Sequence, residues 1–370
     1  MSERPTVAVY LPDLSGGGAE RLHVLLNVAL EERGFDMKFL LDRRAGALIN
    51  QVPEDKIVAL DASRQLKAFS KLVRYLRTAR PDYLISNMEH MNISAVVAAR
   101  IAGGSTRVIA TQHNAFSRQI DRPSIKYRLL PWMYKGVLPF AHKIVAVSGG
   151  VGRELVDMLK WRADRVDVIY NGVVAGGQQS IDQDPPHPWL GEERPVIIAM
   201  GRMVAQKDFT TLLRAFARMG GGDVARLIIL GDGPERNALE AEARKLGIAH
   251  AVDMPGFVEH PAGWLSRSAL FVLSSQFEGF GNVLVEALSC GTPIVSTNCP
   301  FGPSEILDDG RFGTLVDVGD IEAMAMAMGR MLAQDHDRAQ LRSRSEAFSI
   351  ARCADAYAAI MRPVGDAQHG

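Results

Sequence analysis

Short apolar runs punctuate this 370-residue chain, and nearly every one is followed by a segment with helical spacing. In the first half, Thr6–Tyr10, Met37–Leu41, Tyr83–Ser86, Val108–Thr111, Lys143–Ser148 and Val166–Tyr170 read as strands. In the second half, Val196–Met200, Leu227–Leu230, Val252–Pro255, Leu270–Leu273 and Pro293–Ser296 do the same. Apolar runs this short suit strands covered on both faces, and alternation with helices implies parallel sheets. The alternation stops over residues 174–194, a stretch rich in Gly, Gln and Pro that reads as a linker, and then restarts. The fold class is therefore α/β, with two Rossmann-like domains, and the length suits two domains of ordinary size.

Composition excludes several classes. Hydrophobic residues at 47% and charged residues at 23% are those of a globular protein. Three cysteines, Cys290, Cys299 and Cys353, have no C-x-x-C spacing, which argues for a reducing compartment and against a disulfide framework or zinc site. The opening MSERPTVAVY has no signal-peptide pattern, and no apolar run reaches membrane-spanning length. Residues 1–180 hold 25 Lys+Arg against 17 Asp+Glu, a net of +8; residues 181–370 hold 17 against 25, a net of −8. The basic residues cluster around Arg64–Arg80 and in 118–140, where Arg122, Lys126, Arg128 and Lys135 interleave with Trp132, Tyr134, Leu138 and Phe140. That mixture suits an anionic membrane surface, or simply a helix with its apolar face on the sheet and its cations in solvent. No nucleic-acid motif is present.

The stretch richest in chemistry is Glu278–Glu286, EGFGNVLVE. It follows the apolar run Leu270–Leu273 and passes through a glycine turn into helical spacing at Val283, Leu284, Ala287 and Leu288. Strand, tight turn and helix N-terminus bring backbone N–H groups and the positive end of the helix dipole together, a natural place for phosphate. The other reading makes Glu278 a cap and Glu286 a solvated face residue. After Val196–Met200, Arg202 and Lys207 bracket a second strand-to-helix loop, and two cations there suit a diphosphate. Asp208 could cap the helix that follows. In the first half, Gly16, Gly17 and Gly18 lead from strand to helix, and His113 lies at the carboxyl end of Val108–Thr111. Ligands of doubly wound sheets bind at the carboxyl ends of strands. Asp182-Gln183-Asp184 and Asp335-His336-Asp337 match D-x-D but lack a preceding apolar strand, so no metal is expected.

Taken together, EGFGNVLVEALSCGTPIVS, Gly201-Arg202…Lys207, the loop Gly-Gly-Ala-Glu-Arg and Tyr170-Asn171-Gly172-Val173 resemble the retaining glycosyltransferases of family 4, which have the GT-B fold. The chain departs from the family pattern at Asp208, where Gly is usual, and at Val174, where Asp is frequent. The resemblance implies two Rossmann-like βαβ domains facing an interdomain cleft. They would be residues 1–175 on the acceptor side, joined by about 350–370 crossing back, and 176–349 on the donor side. It implies that Glu278 contacts the donor sugar and Glu286 the ribose hydroxyls. The turn Phe280-Gly281-Asn282-Val283 would face sugar and diphosphate, and the backbone at Phe257 and Val258 the base. His113 would lie against the donor sugar, and Gly16–Gly18 across from the donor phosphates. Glu278, His113, Arg202 and Lys207 are the expected catalytic groups.

The expected reaction moves a sugar from an NDP-sugar, UDP- or GDP-linked, to a hydroxyl of a glycan or lipid-linked acceptor with retention. It would need neither metal nor other cofactor and would serve surface polysaccharide or glycolipid synthesis. The expected setting is cytoplasmic, with the inner face of the cell membrane open to it through contact of the basic half with anionic lipid. An NDP-sugar 2-epimerase on the same fold, or a catalytically silent binding partner, are the alternatives. Fold resemblance alone does not fix chemistry.

Overall fold

A computed structural model of the chain describes residues 4–62, 65–117, 125–173 and 187–362. The chain divides into two compact units, Met1–Gly172 with Ile350–Gly370, and Val173–Ser349.

The first unit carries a seven-stranded sheet among its described residues. Its strands are β1 (Thr6–Leu11), β2 (Asp36–Leu41), β3 (Ile57–Ala59), β4 (Tyr83–Ser86), β5 (Arg107–Gln112), β6 (Lys143–Ala146) and β7 (Asp167–Val168). Their order is β3-β2-β1-β4-β5-β6-β7, and each pairing is parallel. Along β1 the side chains divide with the period of two that a strand imposes. Val7, Val9 and Leu11 join one core with Leu22, Leu26 and Leu30 of helix Gly18–Glu31 and with Tyr357 and Met361 of helix Ile350–Met361. Ala8 and Tyr10 join the opposite core, with Leu72 and Leu76 of helix Gln65–Ala79 and Val96 of helix Glu89–Ala102. Each aliphatic side chain so buried contributes about 1.5–3 kcal/mol, which favours a sheet covered on both faces over an open one.

The second unit repeats the plan with six strands among its described residues. They are β8 (Val196–Met200), β9 (Arg226–Leu230), β10 (Val252–Gly256), β11 (Leu270–Leu273), β12 (Ile294–Thr297) and β13 (Thr314–Val316), ordered β10-β9-β8-β11-β12-β13. Both orders are that of the doubly wound nucleotide-binding sheet, in which the winding direction reverses beside the first strand. The reversal falls between β1 and β4 in one unit and between β8 and β11 in the other.

Several details differ from the sequence reading. The spacing of residues 340–360 predicts one helix, Gln340–Ile360, but the structure has two, Arg338–Ser345 and Ile350–Met361, separated by a 3-10 turn and an extended Ser349. The break lets Val173 donate its N–H to Phe348 O (2.9 Å) and pair with Ser349, within the second unit. Gly231-Asp232-Gly233-Pro234-Glu235 reads as a helix start with Pro at the first helical position, but helix Arg236–Lys245 begins after Pro234. β7 is two residues long where five were expected. The three-residue edge strands β3 and β13 are too short to show a pattern. Of the apolar residues in helix Ile125–Val137, Leu130 and Tyr134 are buried, while Leu129, Trp132 and Met133 are exposed. Among the described residues no helix is long and apolar enough to cross a membrane.

Candidate functional site

In the second unit, the loops that leave β8 and β11 at the reversal point are bonded to each other. Gln276 donates its N–H to Gln206 O (2.8 Å), Gln206 Nε2 donates to Phe277 O (2.9 Å), and Ser274 Oγ donates to Lys207 O (2.7 Å). These bonds place Lys207 Nζ 2.6 Å from Glu278 Oε1, an ion pair with side chains only 15% and 8% exposed. Ser275 Oγ donates to the same oxygen at 2.6 Å. Glu278 Oε1 is thus used twice, while Oε2 has no partner among the described residues. Such a pair is held by geometry rather than by charge alone, because taking two ions out of water costs nearly what their attraction returns. The loop after β12 closes the group. Glu278 donates its N–H to Pro300 O (2.9 Å), and a Cβ at Gly302 (φ +97°) would stand 1.7 Å from Phe280 O, so only glycine fits.

The turn then enters helix Asn282–Ser289 through Gly281, whose φ is +102° and which brings no side chain to cap the helix. Phe280 is buried against Phe348 with ring centroids 5.5 Å apart. Asn282, Val283 and Glu286 are half-buried. Arg202 is exposed, and its guanidinium makes no hydrogen bond or ion pair among the described residues. Asp208 adopts φ +45° and accepts from Thr211 N (3.3 Å) and Thr211 Oγ1 (2.9 Å), so it is the N-cap of helix Phe209–Arg218. Its left-handed backbone explains why glycine is the usual residue there and why an aspartate substitutes. Phe257, exposed, and Val258, half-buried, follow the edge strand β10, two strands removed from β8.

The reversal point of the first unit carries a glycine loop, the Glu20 carboxyl and two neutral imidazoles. Gly16 has φ +99° and open space around it, whereas a Cβ on Gly17 would meet Glu20 Oε2 at 2.3 Å. Glu20 folds back to the Gly17 N–H and caps helix Gly18–Glu31 from its third position. Burial pushes its carboxyl up, and Asp13 adds to the rise. Beyond β4, Asn87 Oδ1 lies 2.6 Å from His23 Nε2 and 3.0 Å from His113 Nε2. Burial holds both imidazoles neutral, His23 at about 4 and His113 at about 3, the latter also lowered by the neighbouring His23. The loop beyond His113 is anchored by Glu154, which accepts from Phe116 N at 2.6 Å.

Residues 16–175 match the family described as "Glycosyltransferase Family 4", and residues 181–348 match "Glycosyl transferases group 1". LpsE of Rhizobium meliloti, a lipopolysaccharide core biosynthesis glycosyltransferase, is 34% identical over 360 residues, 93% of this chain and 96% of that protein. The chain belongs to glycosyltransferase family 4. A further relative of this family 4 enzyme, from Campylobacter jejuni, is an N-acetylgalactosaminyltransferase named for an undecaprenol diphosphate-linked substrate. It is 25% identical over 94% of this chain and 97% of that protein. The structure of Anabaena HepE in complex with UDP and glucose superposes with a TM-score of 0.79 at 19% identity, covering 96% of this chain and 98% of that one. Likeness at that identity establishes the fold, which is GT-B.

In this glycosyltransferase Lys207 and Glu278 come together, as do His113 and two residues the sequence reading passed over, His23 and Asn87. Asn87 directly follows β4 beside the reversal, which was the signal available for it. Ser275 is likewise visible only as a serine three residues before Glu278. The D-x-D match at 335–337 is structural: Asp337 caps helix Arg338–Ser345, and His336 Nε2 bonds Met331 O at 2.7 Å. The other match, Asp182–Asp184, lies outside the described residues. Among the described residues no group of three or more His, Cys, Asp or Glu is placed to hold a metal ion. All three cysteines are buried, and Cys299 is pushed up to about 12 by burial and then by the Glu278 charge.

Two predictions follow from these geometries. Lys207→Ala and Glu278→Ala should each cost about 3 kcal/mol by stranding a buried charge, and the double variant should cost less than their sum by more than about 1 kcal/mol. Additive losses in denaturant titrations would mean the pair is not formed. For His23 and His113, the unfolded chain takes up protons below its ordinary value near 6.5 while the folded chain does not. Stability is therefore highest above that value and lost as pH falls, by about 1 kcal/mol per histidine between pH 6.5 and 5.5. His23→Gln should remove about half of this loss in denaturant titrations at the two pH values. A loss unchanged by the substitution would contradict a neutral His23.

Proposed function

We propose that the enzyme transfers a sugar with retention from a UDP- or GDP-linked donor to a hydroxyl of a glycan or lipid-linked acceptor, without a metal ion. The observation that carries this reading is the cluster at the second reversal point: a carboxylate with one oxygen fixed by Lys207 and Ser275, on a turn that enters a helix through Gly281, with Arg202 exposed on the loop after β8. The free Glu278 Oε2 suits a sugar hydroxyl. Arg202, Lys207 and the N–H groups after Gly281 suit the diphosphate and supply the positive charge that a metal would otherwise bring. Glu286 would take the ribose hydroxyls, and the backbone at Phe257 and Val258 the base. His113 would meet the donor sugar, and Gly16–Gly18 the donor phosphates or the acceptor.

The derivation of catalysis rests on charge. As the glycosidic bond breaks, negative charge grows on the departing phosphate. Donors already fixed toward it stabilise that state more than the ground state. Because Lys207 is already paired with Glu278, Arg202 is the cation with most freedom to follow the charge. The incoming hydroxyl passes its proton to the departing phosphate on the same face, a route that calls on no separate base. The relatives named for lipopolysaccharide core and undecaprenol-linked substrates favour an acceptor of that kind. Exposed Trp132 (75%), Phe140 (58%) and Leu129 (51%), with Lys135, favour contact with an anionic bilayer at the cytoplasmic face. Not all of the basic helix Gln65–Ala79 is available, since Lys71 Nζ donates to Asp61 O (3.0 Å) and Arg77 donates to Ile101 O (3.0 Å).

Arg202→Ala should lower turnover at least about a hundredfold while leaving stability within about 0.5 kcal/mol, since its side chain bonds nothing among the described residues. The donor that raises the melting temperature in a UDP- and GDP-sugar panel is the one to assay, with the product anomer followed by NMR. Unchanged turnover in Arg202→Ala, or an inverted anomer, would refute the mechanism. Trp132→Ser with Phe140→Ser should release the protein from phosphatidylglycerol vesicles in a sedimentation assay. Equal vesicle binding by the double variant would remove the membrane role of this face.

A further inference from the structure

The cluster beside the first reversal point has a property that the proposed sugar contact of His113 does not use. A single amide oxygen, Asn87 Oδ1, stands within hydrogen-bond distance of Nε2 on two histidines, 2.6 Å from His23 and 3.0 Å from His113. An amide oxygen has two lone pairs and no proton, so both ring nitrogens must be donors. The two rings meet edge to face, with centroids 6.3 Å apart at 80°. His23 is fully buried and Asn87 is 2% exposed, so the bond between them is shielded from water, while His113 is half-buried. Three elements supply the group: helix Gly18–Glu31 brings His23, the end of β4 brings Asn87, and the end of β5 brings His113.

We propose that Asn87 is a positioning residue that fixes His113 as its Nε2-protonated tautomer, buttressed by His23, so that His113 presents a bare Nδ1 that accepts from a sugar hydroxyl. The inference rests on the ligand contact assigned to His113 under the proposed function. Its Nδ1 has no partner among the described residues, and it is not among the buried polar atoms left unsatisfied there. His23 Nδ1 and Asn87 Nδ2, by contrast, are buried without partners. A core with no further task would be better filled by apolar groups of the same shape, because a lone buried polar atom forfeits its hydration. The group is retained at that cost, and what it achieves is the orientation of Asn87 Oδ1. Burial keeps both rings neutral, so tautomer rather than charge is what the cluster sets. A ring fixed in this way discriminates between ligands. It accepts from a hydroxyl and is repelled by a group that can only accept, such as a methyl ether or a fluorine at the same position.

The test is ¹⁵N-histidine labelling of the full chain, with imidazole signals assigned through His23→Gln and His113→Gln. Both rings should show a protonated Nε2 and a bare Nδ1. Asn87→Leu should give His113 a mixture of tautomers and lower kcat/KM about tenfold. Asn87→Asp retains the acceptor oxygen and should keep Nε2 protonated on both rings. A proton on His113 Nδ1 in the unaltered protein overturns the proposal without need of any variant. So does an unchanged His113 spectrum in folded Asn87→Leu. His113→Ala tests the ligand contact separately: full turnover in that variant refutes the contact, while the tautomer spectra still decide the role of Asn87.

Discussion

All of the recorded strand pairings in both sheets are parallel, and this constraint governs everything else in the molecule. Parallel strands need a crossover after each strand, so every strand-to-helix loop arrives at the same edge of its sheet. Hydrophobic burial on both faces fixes the sheet, and the sheet then fixes where polar chemistry can be. At the point where the winding reverses, the loops after neighbouring strands diverge to opposite faces and leave room between their starts. Lys207 and Glu278 stand at that point in one unit, and Asn87 and His113 stand beside it in the other.

The glycines and caps of the second unit show how closely that edge is specified. Gly302 admits Phe280 O where any side chain would collide, and this close approach sets the turn that carries Gly281 into helix Asn282–Ser289. Asp208 takes a left-handed backbone that favours glycine and offsets the strain with its N-cap bonds to Thr211. The strain and the cap are each of order 1 kcal/mol, so the exchange of Gly for Asp is close to neutral while helix Phe209–Arg218 keeps its start. Local departures from the family pattern are therefore compatible with an unchanged site.

Much of this was legible in the sequence, because the features that place the strands are local. Tyr83–Ser86, Val196–Met200 and Leu270–Leu273 were bounded to the residue, since each is an apolar run between clear breakers. The helix expected over Gln340–Ile360 was not, because what breaks it at Ser349 is pairing with Val173, distant in sequence. The Glu278 turn could be read from its glycines, but its partnership with Lys207 spans 71 positions and depends on two loops bonding each other. His23 left even less trace. On a helical wheel it is one more residue of a buried face, and only the arrangement of β4 and β5 reveals that it shares an acceptor with His113. The aromatic run after residue 128 was ambiguous for the opposite reason. Its spacing fits packing and exposure equally, and the helix resolves it by burying Leu130 and Tyr134 while turning Trp132 outward.

The two reversal points share a topology and differ in electrostatics, and the difference bears on what each can hold. In the second unit a buried cation and anion neutralise each other, and an exposed Arg202 remains to meet a further negative charge. In the first unit burial holds two imidazoles and a capping carboxylate toward their neutral forms, through His23, His113 and Glu20. Two neutral imidazoles exert little attraction on a diphosphate but can sort hydroxyls by the direction of their hydrogen bonds. An edge with an exposed cation on one loop and a helix N-terminus on the next does the reverse. One sheet plan thus yields two edges of different electrostatics, and under the proposed function a transfer that moves a sugar from a charged leaving group to a neutral hydroxyl would use both kinds.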